Sequence, residues 1–226
     1  AAEAVPTAQP MRPARFTLEL YRRCPKVPLH TTSEVLREGR RLQVVDTVLW
    51  AGEVDVARAR TVKLREDAAV LHGVELPPVP PEDRAPPTPA EGIEFPLGPD
   101  GSMDFFDCFS TSIVSEYADG EPSDHITCWY RLDHPLVEGE PTSPFVRLAA
   151  TGDMAMSATW WLGWGSFSAP NVDLTIQSLR LPDDPWIALD CKVRIDPDGS
   201  AQSDAVIHDL NGRLGHLMKS LLVDSF

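Results

Sequence analysis

Positive charge is scarce in this sequence, where 34 acidic side chains outnumber 20 basic ones and the formal net charge is −14. No segment combines clustered lysine and arginine with interleaved aromatic residues. Because a chain with this charge repels phosphate groups, we expect neither nucleic acid nor an anionic membrane as a partner.

Long apolar runs are missing as well. The longest one extends from Met154 to Trp164, and a helix needs about 20 apolar residues to cross a bilayer. The sequence does not open with the pattern of a signal peptide. We therefore expect no membrane span and a cytoplasmic location.

Patterns that hold metals, phosphates or a catalytic serine are missing too. The four cysteines have no close pairing and the six histidines have no ligand spacing, so we expect reduced cysteines and no metal site. No glycine-rich loop of the phosphate-binding kind follows a predicted strand. The segment from Gly163 to Ser166 lacks the second glycine of a nucleophile elbow. Nucleotide cofactors and serine hydrolase chemistry are therefore disfavoured.

Prolines are concentrated in one segment, since residues 77–99 hold 9 of the 22 in the chain. Proline removes backbone donors and favours extended conformations, which is typical of a linker. With 226 residues the chain can form one large domain or two small fused ones. We predict an N-terminal domain at 1–71, a linker at 72–99 and a C-terminal domain at 100–226.

Both flanking parts show the same layout of short strands and tight turns. Apolar residues alternate at period two, and glycines mark the turns, which predicts an antiparallel meander in each part. Three pairs of matching residues lie 158 to 160 positions apart: Arg22 with Arg180, Gly39 with Gly199, and Val56 with Leu214. An ordered series at this offset indicates a duplicated domain.

A helix is predicted at Ser143–Trp164, where apolar residues recur at helical spacing. It is apolar on nearly every face, so we expect it to be buried inside an antiparallel sheet. Strands are predicted before it at Phe105–Tyr117 and His125–Leu132. Only Ala1–Pro10 precedes the first strand of the first copy, so we expect the start of that copy to be missing.

Asp153 is the most informative polar residue because it lies within this apolar helix. At 100° per residue it falls about 80° from Phe145 and close to Trp160, so we expect it to be buried. A buried carboxylate needs hydrogen-bond partners or a shifted pKa, and such groups are enriched in active sites. A purely structural polar network is the alternative.

Two further polar residues follow the helix. Asn171 lies at the entrance to the next strand, where it either forms an ordinary turn or helps Asp153 hold a water molecule. Lys219 shares a strand face with Leu217 and Leu221 and therefore either points inward or is an exposed strand lysine.

Several segments together resemble the acyl-CoA thioesterase II-like family, in which one chain carries two fused hot-dog domains. The most specific is the string Leu36-Arg37-Glu38-Gly39-Arg40-Arg41 with its following strand, and Ala169–Ile176 and Ser220–Val223 support it. The resemblance implies an α+β double hot-dog fold with antiparallel sheets each wrapped around a central helix. The first hot dog would lack its N-terminal strand and helix.

The resemblance also implies a catalytic site. In the family, an Asp of the second helix, a Thr or Ser at the start of the next strand and a Gln of the last strand orient the hydrolytic water. Asp153 matches the first, whereas Asn171 and Lys219 replace the other two. Asparagine offers both a donor and an acceptor, but lysine offers donors only. Lys219 beside Asp153 either forms an ion pair that consumes the base or assists the charge on the oxyanion.

We therefore expect a thioesterase that acts on fatty acyl-CoA or a related acyl thioester, without a cofactor. Asp153 would act as general base on a water held by Asn171, and a backbone N–H with help from Lys219 would stabilise the oxyanion. The acyl chain would contact Met154, Met156 and Trp160, unless these are simply core residues.

Two other functions remain open at this point. One is a non-catalytic hot-dog protein that binds acyl groups or serves as an assembly partner. The other is a hydratase, which needs an Asp and a His placed together, and no His lies between Asp153 and His208. For any of these functions, the resemblance implies a homodimer or a tetramer.

Overall fold

The computed structural model of this chain describes residues 1–67, 70–91, 108–114, 124–155, 162 and 166–225. Within them the backbone forms twelve strands. In chain order these are β1 (Met11–Leu20), β2 (Leu29–Glu38), β3 (Leu42–Ala51), β4 (Val54–Arg65), β5 (Phe109–Ile113), β6 (His125–Leu132), β7 (Phe167–Ser168), β8 (Asp173–Ser178), β9 (Trp186–Ile195), β10 (Ser200–Asp209), β11 (Gly212–Leu222) and β12 (Asp224–Ser225). Three short 3₁₀ helices lie at Ala2–Ala4, Pro81–Asp83 and Pro89–Glu91.

Ten of these strands form one continuous antiparallel sheet. Its order is β2-β3-β4-β1-β8-β11-β10-β9-β6-β5, and β7 pairs separately with β12. The order β2-β3-β4-β1 is repeated in reverse by β8-β11-β10-β9, so the two halves are related by an approximate twofold axis between β1 and β8. The predicted duplication is thus visible as two equivalent half-sheets joined edge to edge.

The predicted turns connect these strands. Gly199 and Gly212 have φ values of 91° and 109°, which side chains other than glycine rarely adopt. A Cβ atom on Gly212 would also lie 2.8 Å from the carbonyl oxygen of Asp83. Glycine at these two positions therefore allows the tight connections that keep neighbouring strands antiparallel.

A single α-helix with defined bounds lies in the described part of the chain, α1 at Pro144–Asp153. The Ser143 side chain accepts a hydrogen bond from the Val146 N–H, and Pro144 occupies the first turn, which together explain where the helix begins. The prediction of one continuous helix through Trp164 is wrong, because the Met154 N–H already turns back to the carbonyls of Thr151 and Gly152. Leu162 is helical, but residues 156–161 and 163–165 lie outside the described ones.

The hydrophobic core lies between α1 and the second half of the sheet. Phe145 and Leu148 of the helix are buried against it. Gly152 lets the helix approach the sheet closely, since a Cβ there would lie 2.9 Å from Ile176 and 3.0 Å from Leu217. The first half adds Phe16 and Leu18 to the margin of this core, whereas every residue of the edge strand β2 is exposed.

The segment predicted as a linker contacts the second half of the sheet. Arg213 forms an ion pair with Asp83 at 2.7 Å, and the indole N–H of Trp129 donates to the Pro87 carbonyl at 2.6 Å. The predicted boundaries at 1–71, 72–99 and 100–226 stay predictions. The four cysteines are thiols and not disulfides, and Cys128 and Cys191 are buried.

Candidate functional site

Asp153 is the last residue of α1, and its side chain is exposed. The prediction that it is buried is wrong, because that prediction assumed an apolar helix that continues beyond Asp153 to Trp164. Since the helix ends here, the carboxylate lies in the final turn at the surface. An exposed carboxylate remains accessible to water and to a substrate.

Asn171 lies next to Asp153, although 18 residues separate them in the chain. The Asn171 amide nitrogen donates to Oδ1 of Asp153 at 3.2 Å. The backbone around Asn171 is fixed by a β-bridge to Leu221 and by the Val172 N–H, which donates to the Ser220 carbonyl at 3.0 Å. The strand β11 therefore positions the amide beside the end of the helix.

Lys219 is the third predicted residue, and it points inward with only 3% of its surface exposed. Its ammonium donates to the backbone carbonyl of Asp153 at 3.0 Å and to that of Ala155 at 2.7 Å. These carbonyls lie at the end of α1, where helical N–H partners run out. Lys219 therefore acts as a hydrogen-bonding cap that holds the end of the helix on the sheet.

The ion pair expected between Lys219 and the Asp153 carboxylate is not formed in this structure, because the ammonium binds the main chain of Asp153 instead. Burial lowers the pKa of Lys219, and the nearby negative charge of Asp153 acts in the opposite direction. The cation thus stays within electrostatic reach of the carboxylate without neutralising it by direct contact.

Two buried hydroxyl groups near this site were missed by the sequence analysis. Ser203 stands opposite Lys219 in the register of β10 and β11, and Thr151 lies in the last turn of α1. Both are 0% exposed, and neither hydroxyl has a partner within the described part of the chain. Buried polar groups of this kind usually bind ordered water. The sequence signal for Ser203 is its position two residues from each of the apolar residues Ala201 and Ala205, which places all three on one face of a strand.

The residues predicted to contact an acyl chain are only partly described. Met154 is 4% exposed and belongs to the core of the second half, and its carbonyl accepts a hydrogen bond from the Tyr130 hydroxyl at 3.2 Å. Met156 and Trp160 lie outside the described residues.

No group of three or more His, Cys, Asp or Glu side chains within the described ranges is arranged to hold a metal ion. The helices that the structure describes include none with the length and apolar character that a bilayer crossing requires.

The site therefore combines an accessible carboxylate, an amide fixed beside it and a buried cation behind the same turn. A carboxylate can accept a proton from water, and an amide with both donor and acceptor atoms can orient that water. A buried ammonium favours negative charge that develops nearby. Such a set suits the attack of water on a polarised carbonyl group.

Comparison with known families covers most of the chain. The family described as the acyl-CoA thioesterase C-terminal domain matches residues 76–219, and the acyl-CoA thioesterase N-terminal domain matches residues 1–64. No curated protein matches the sequence significantly.

Solved structures resemble this chain over nearly its whole length. A protein with a hot dog fold from Alicyclobacillus acidocaldarius has a TM-score of 0.77 at 15% identity, covering 100% of this chain and 83% of its own. The acyl-CoA thioesterase II TesB2 from Mycobacterium marinum has a TM-score of 0.66 at 14% identity, with 96% and 82% covered. The tesB protein from Mycobacterium avium subs paratuberculosis has a TM-score of 0.70 at 13% identity, with 96% and 80% covered. The predicted hot-dog fold is confirmed.

Proposed function

We propose that this chain, which belongs to the acyl-CoA thioesterase family, hydrolyses acyl-CoA or a related acyl thioester with Asp153, Asn171 and Lys219. The observation that carries the proposal is the 3.2 Å hydrogen bond between Asn171 and Asp153. It joins the end of α1 to the start of β8, two elements that supply the family's water-orienting residues.

Asp153 is the general base in this proposal. Its Oδ1 accepts the Asn171 amide, which leaves Oδ2 to accept a proton from water. The carbonyl oxygen of the Asn171 side chain accepts the second hydrogen of that water and aims its lone pair at the thioester carbon. As the C–O bond forms and the C–S bond breaks, the proton on Asp153 passes to the leaving thiolate. The products are a carboxylic acid and a free thiol.

Lys219 supports this chemistry from behind the turn. Two of its three N–H donors bind the carbonyls of Asp153 and Ala155. These hydrogen bonds fix the position of the Asp153 main chain on the sheet. Its positive charge favours the negative charge on the tetrahedral intermediate. A backbone N–H near the helix is the proposed direct donor to the oxyanion.

A non-catalytic acyl-binding or assembly protein is the second candidate. The observation that favours it is the use of Lys219 as a cap for α1, since a lysine occupied with two backbone carbonyls does not orient water as the family's glutamine does. The hydratase alternative ranks below both, because His208 lies on β10, where its ring nitrogen faces the Glu82 carbonyl at 3.4 Å.

Hydrolysis of a panel of acyl-CoA chain lengths tests the proposal, with the Asp153→Asn protein assayed beside the unchanged chain. The thioesterase proposal expects turnover that the substitution abolishes, with acyl-CoA binding and melting temperature retained. Binding without turnover in the unchanged chain would support the non-catalytic candidate, and hydration of enoyl-CoA would support the hydratase.

The partner and assembly predictions are part of this proposal. An acyl-carrier protein thioester, assayed beside acyl-CoA, shows which of these two acyl donors the chain prefers. The acyl contacts of Met154, Met156 and Trp160 stay predictions, as does the homodimer or tetramer. A light-scattering mass equal to that of one chain would contradict self-association.

A further inference from the structure

Arginine side chains surround an open pocket at the turn between β2 and β3. Arg37, Arg40 and Arg41 are exposed there. The Arg65 N–H donates to the Arg41 carbonyl at 3.0 Å, which holds the end of β4 against the turn. Four guanidinium groups therefore lie around one pocket in a chain whose net charge is −14. The pocket has a volume of about 510 Å³ and is lined by Arg37, Gly39, Arg40, Arg41, Leu42 and Arg65.

Most of this positive charge has no ion-pair partner. No carboxylate within the described ranges pairs with Arg37, Arg40 or Arg41. Other arginines on the surface of the sheet do form such pairs, since Arg60 and Arg194 each bind an aspartate at 2.6 Å. Like charges gathered on one turn repel each other, so an anion in the pocket would stabilise them.

The acidic residues close to the turn do not neutralise the pocket. Glu38 accepts a hydrogen bond from the amide of the buried Gln43 at 2.7 Å, and it does not belong to the lining. Asp67 pairs with Arg65 at 3.2 Å, which offsets one of the four arginines. Three guanidinium groups therefore remain available to a ligand.

The turn does not need arginines in order to fold. The equivalent turn of the second half lies between β9 and β10 at 196–200, where it carries Asp196 and Asp198 and no basic residue. It is closed by the Gly199 N–H, which donates to the Asp196 carbonyl at 3.0 Å, and by the Asp196 N–H, which donates to the Ser200 carbonyl at 2.8 Å. Since the fold forms this turn once with acidic and once with basic residues, we attribute the arginines to binding.

A β-bulge in the first half places Arg37 beside the turn on the outer face. The register of β2 and β3 shifts between Val35, which pairs with Val45, and Arg37, which pairs with Val44. Paired residues share a face and successive residues face opposite ways, so the bulge moves Arg37 away from the face of the buried Val45. The register of β9 and β10 has no such shift. Bulges re-aim side chains and are frequent beside functional sites.

We propose that this arginine pocket binds a diphosphate group, either as inorganic pyrophosphate or as part of a nucleoside diphosphate. Each guanidinium presents five N–H donors in a planar fork that matches two phosphate oxygens. Charge-assisted hydrogen bonds of this kind are stronger than those between neutral groups. The volume lies within the range of small-molecule pockets, roughly 300 to 1,000 Å³, and is large enough for two linked phosphate groups.

This pocket is separate from the site around Asp153. That site lies at the start of β8, where the Val172 carbonyl accepts the Leu20 N–H at 2.9 Å. The arginine pocket lies at the other end of β1, where Met11 pairs with Arg65. Since β1 runs over the ten residues from Met11 to Leu20, and strands rise about 3.4 Å per residue, the two sites are roughly 30 Å apart. The inference therefore does not depend on the proposed thioesterase function.

Calorimetric titration of the full chain with pyrophosphate, ADP and adenosine at low ionic strength tests the proposal. Arg40→Gln combined with Arg41→Gln removes two guanidinium groups from the pocket. Arg23→Gln combined with Arg58→Gln removes two exposed arginines outside it and is the matched control. Melting temperatures of both double variants verify that the fold is retained.

We expect pyrophosphate and ADP to bind the unchanged chain with a Kd below about 1 mM, and adenosine, which has no phosphate, not to bind. The Arg40→Gln and Arg41→Gln protein should bind both ligands at least about tenfold more weakly, whereas the control should stay within about twofold. If pyrophosphate binds and ADP does not, the ligand is the free anion; tighter binding of ADP identifies a nucleotide.

Three results would overturn the proposal. One is that neither pyrophosphate nor ADP binds the unchanged chain. Another is an equal loss of affinity in the control, which would mean that only the overall charge matters. The third comes from Arg40→Lys combined with Arg41→Lys, which keeps the charge but removes the planar forks. This variant should bind pyrophosphate more weakly than the unchanged chain, and equal affinity would reject recognition by the guanidinium groups.

Discussion

Lys219 holds Asp153 by its backbone and leaves its carboxylate free of a direct ion pair. The ammonium donates to the Asp153 carbonyl at 3.0 Å, while the carboxylate accepts the Asn171 amide at 3.2 Å. A lysine in this position is therefore compatible with a working base, since it positions the residue without capturing the group that takes the proton. The predictions below separate this positioning role from catalysis itself.

Asp153→Asn should lower kcat by about 10² or more, because removal of a general base typically costs 10²- to 10⁴-fold. The side chain is exposed, so the free energy of unfolding should change by no more than about 0.5 kcal/mol. Steady-state kinetics and urea unfolding measure the two effects. Glu53→Gln, which removes another exposed carboxylate, is the control, and full activity in the Asp153→Asn protein would reject Asp153 as the base.

Asn171→Ala should lower kcat at least about tenfold with little effect on KM, because the water loses the amide that orients it. Asn171→Thr supplies a hydroxyl with a donor and an acceptor, as the related family does, and should recover part of the rate. Measuring kcat and KM for both variants on one acyl-CoA tests this. Equal activity in the two variants would argue that Asn171 only forms the turn.

Lys219→Met should lower the free energy of unfolding by about 1–3 kcal/mol, because two buried carbonyls at the end of α1 lose their donor. Lys192→Met removes an exposed lysine of β9, in the same half of the sheet, and is the matched control. Urea unfolding of both variants gives the comparison. A Lys219→Met protein as stable as the unchanged chain would mean that other groups satisfy these carbonyls.

Acid should remove the stability contributed by Asp209, whose side chain is fully buried against Arg180. Burial alone would raise the pKa of Asp209, but its hydrogen bonds with Arg180 and with the Asn211 backbone lower it below the ordinary 3.8. A lowered folded-state pKa means that the contribution is complete above the unfolded-state pKa of about 3.9 and disappears as pH falls through the folded value.

Asp209→Asn should therefore cost about 2–4 kcal/mol at pH 7, because Arg180 loses its buried partner. The difference between the variant and the unchanged chain should shrink as the pH falls below about 4. Urea unfolding measured at several pH values between neutral and strongly acidic conditions tests this. A difference that stays constant over that range would show that Asp209 does not titrate as proposed.

The strands and turns could be predicted from the sequence because their causes are local. Alternation at period two and glycines at the turns predict an antiparallel meander in each part, and the antiparallel runs β2-β3-β4 and β9-β10-β11 are observed. The offset of about 158 residues likewise indicates two equivalent half-sheets, because each half needs the same residue types in its turns and strands. These signals do not depend on distant parts of the chain.

The end of α1 could not be predicted, because one of the contacts made there comes from a residue 66 positions away. The apolar pattern continues to Trp164, whereas the helix ends at Asp153, where the Met154 N–H donates to the Thr151 carbonyl and the Lys219 ammonium bonds the carbonyls of Asp153 and Ala155. Asp153 is exposed because the helix ends at this residue, which the apolar pattern does not mark.

The approximate twofold axis of the sheet passes through Thr17 and Thr175, which face each other in the register of β1 and β8 and whose hydroxyls lie 3.4 Å apart. In a pair of identical subunits, both sides of such an interface have the same sequence. Any substitution in one site would therefore also be present in the other. Fusion into one chain lifts that restriction. The second half can keep a buried lysine at position 219 while the first half carries a threonine at the equivalent position 61.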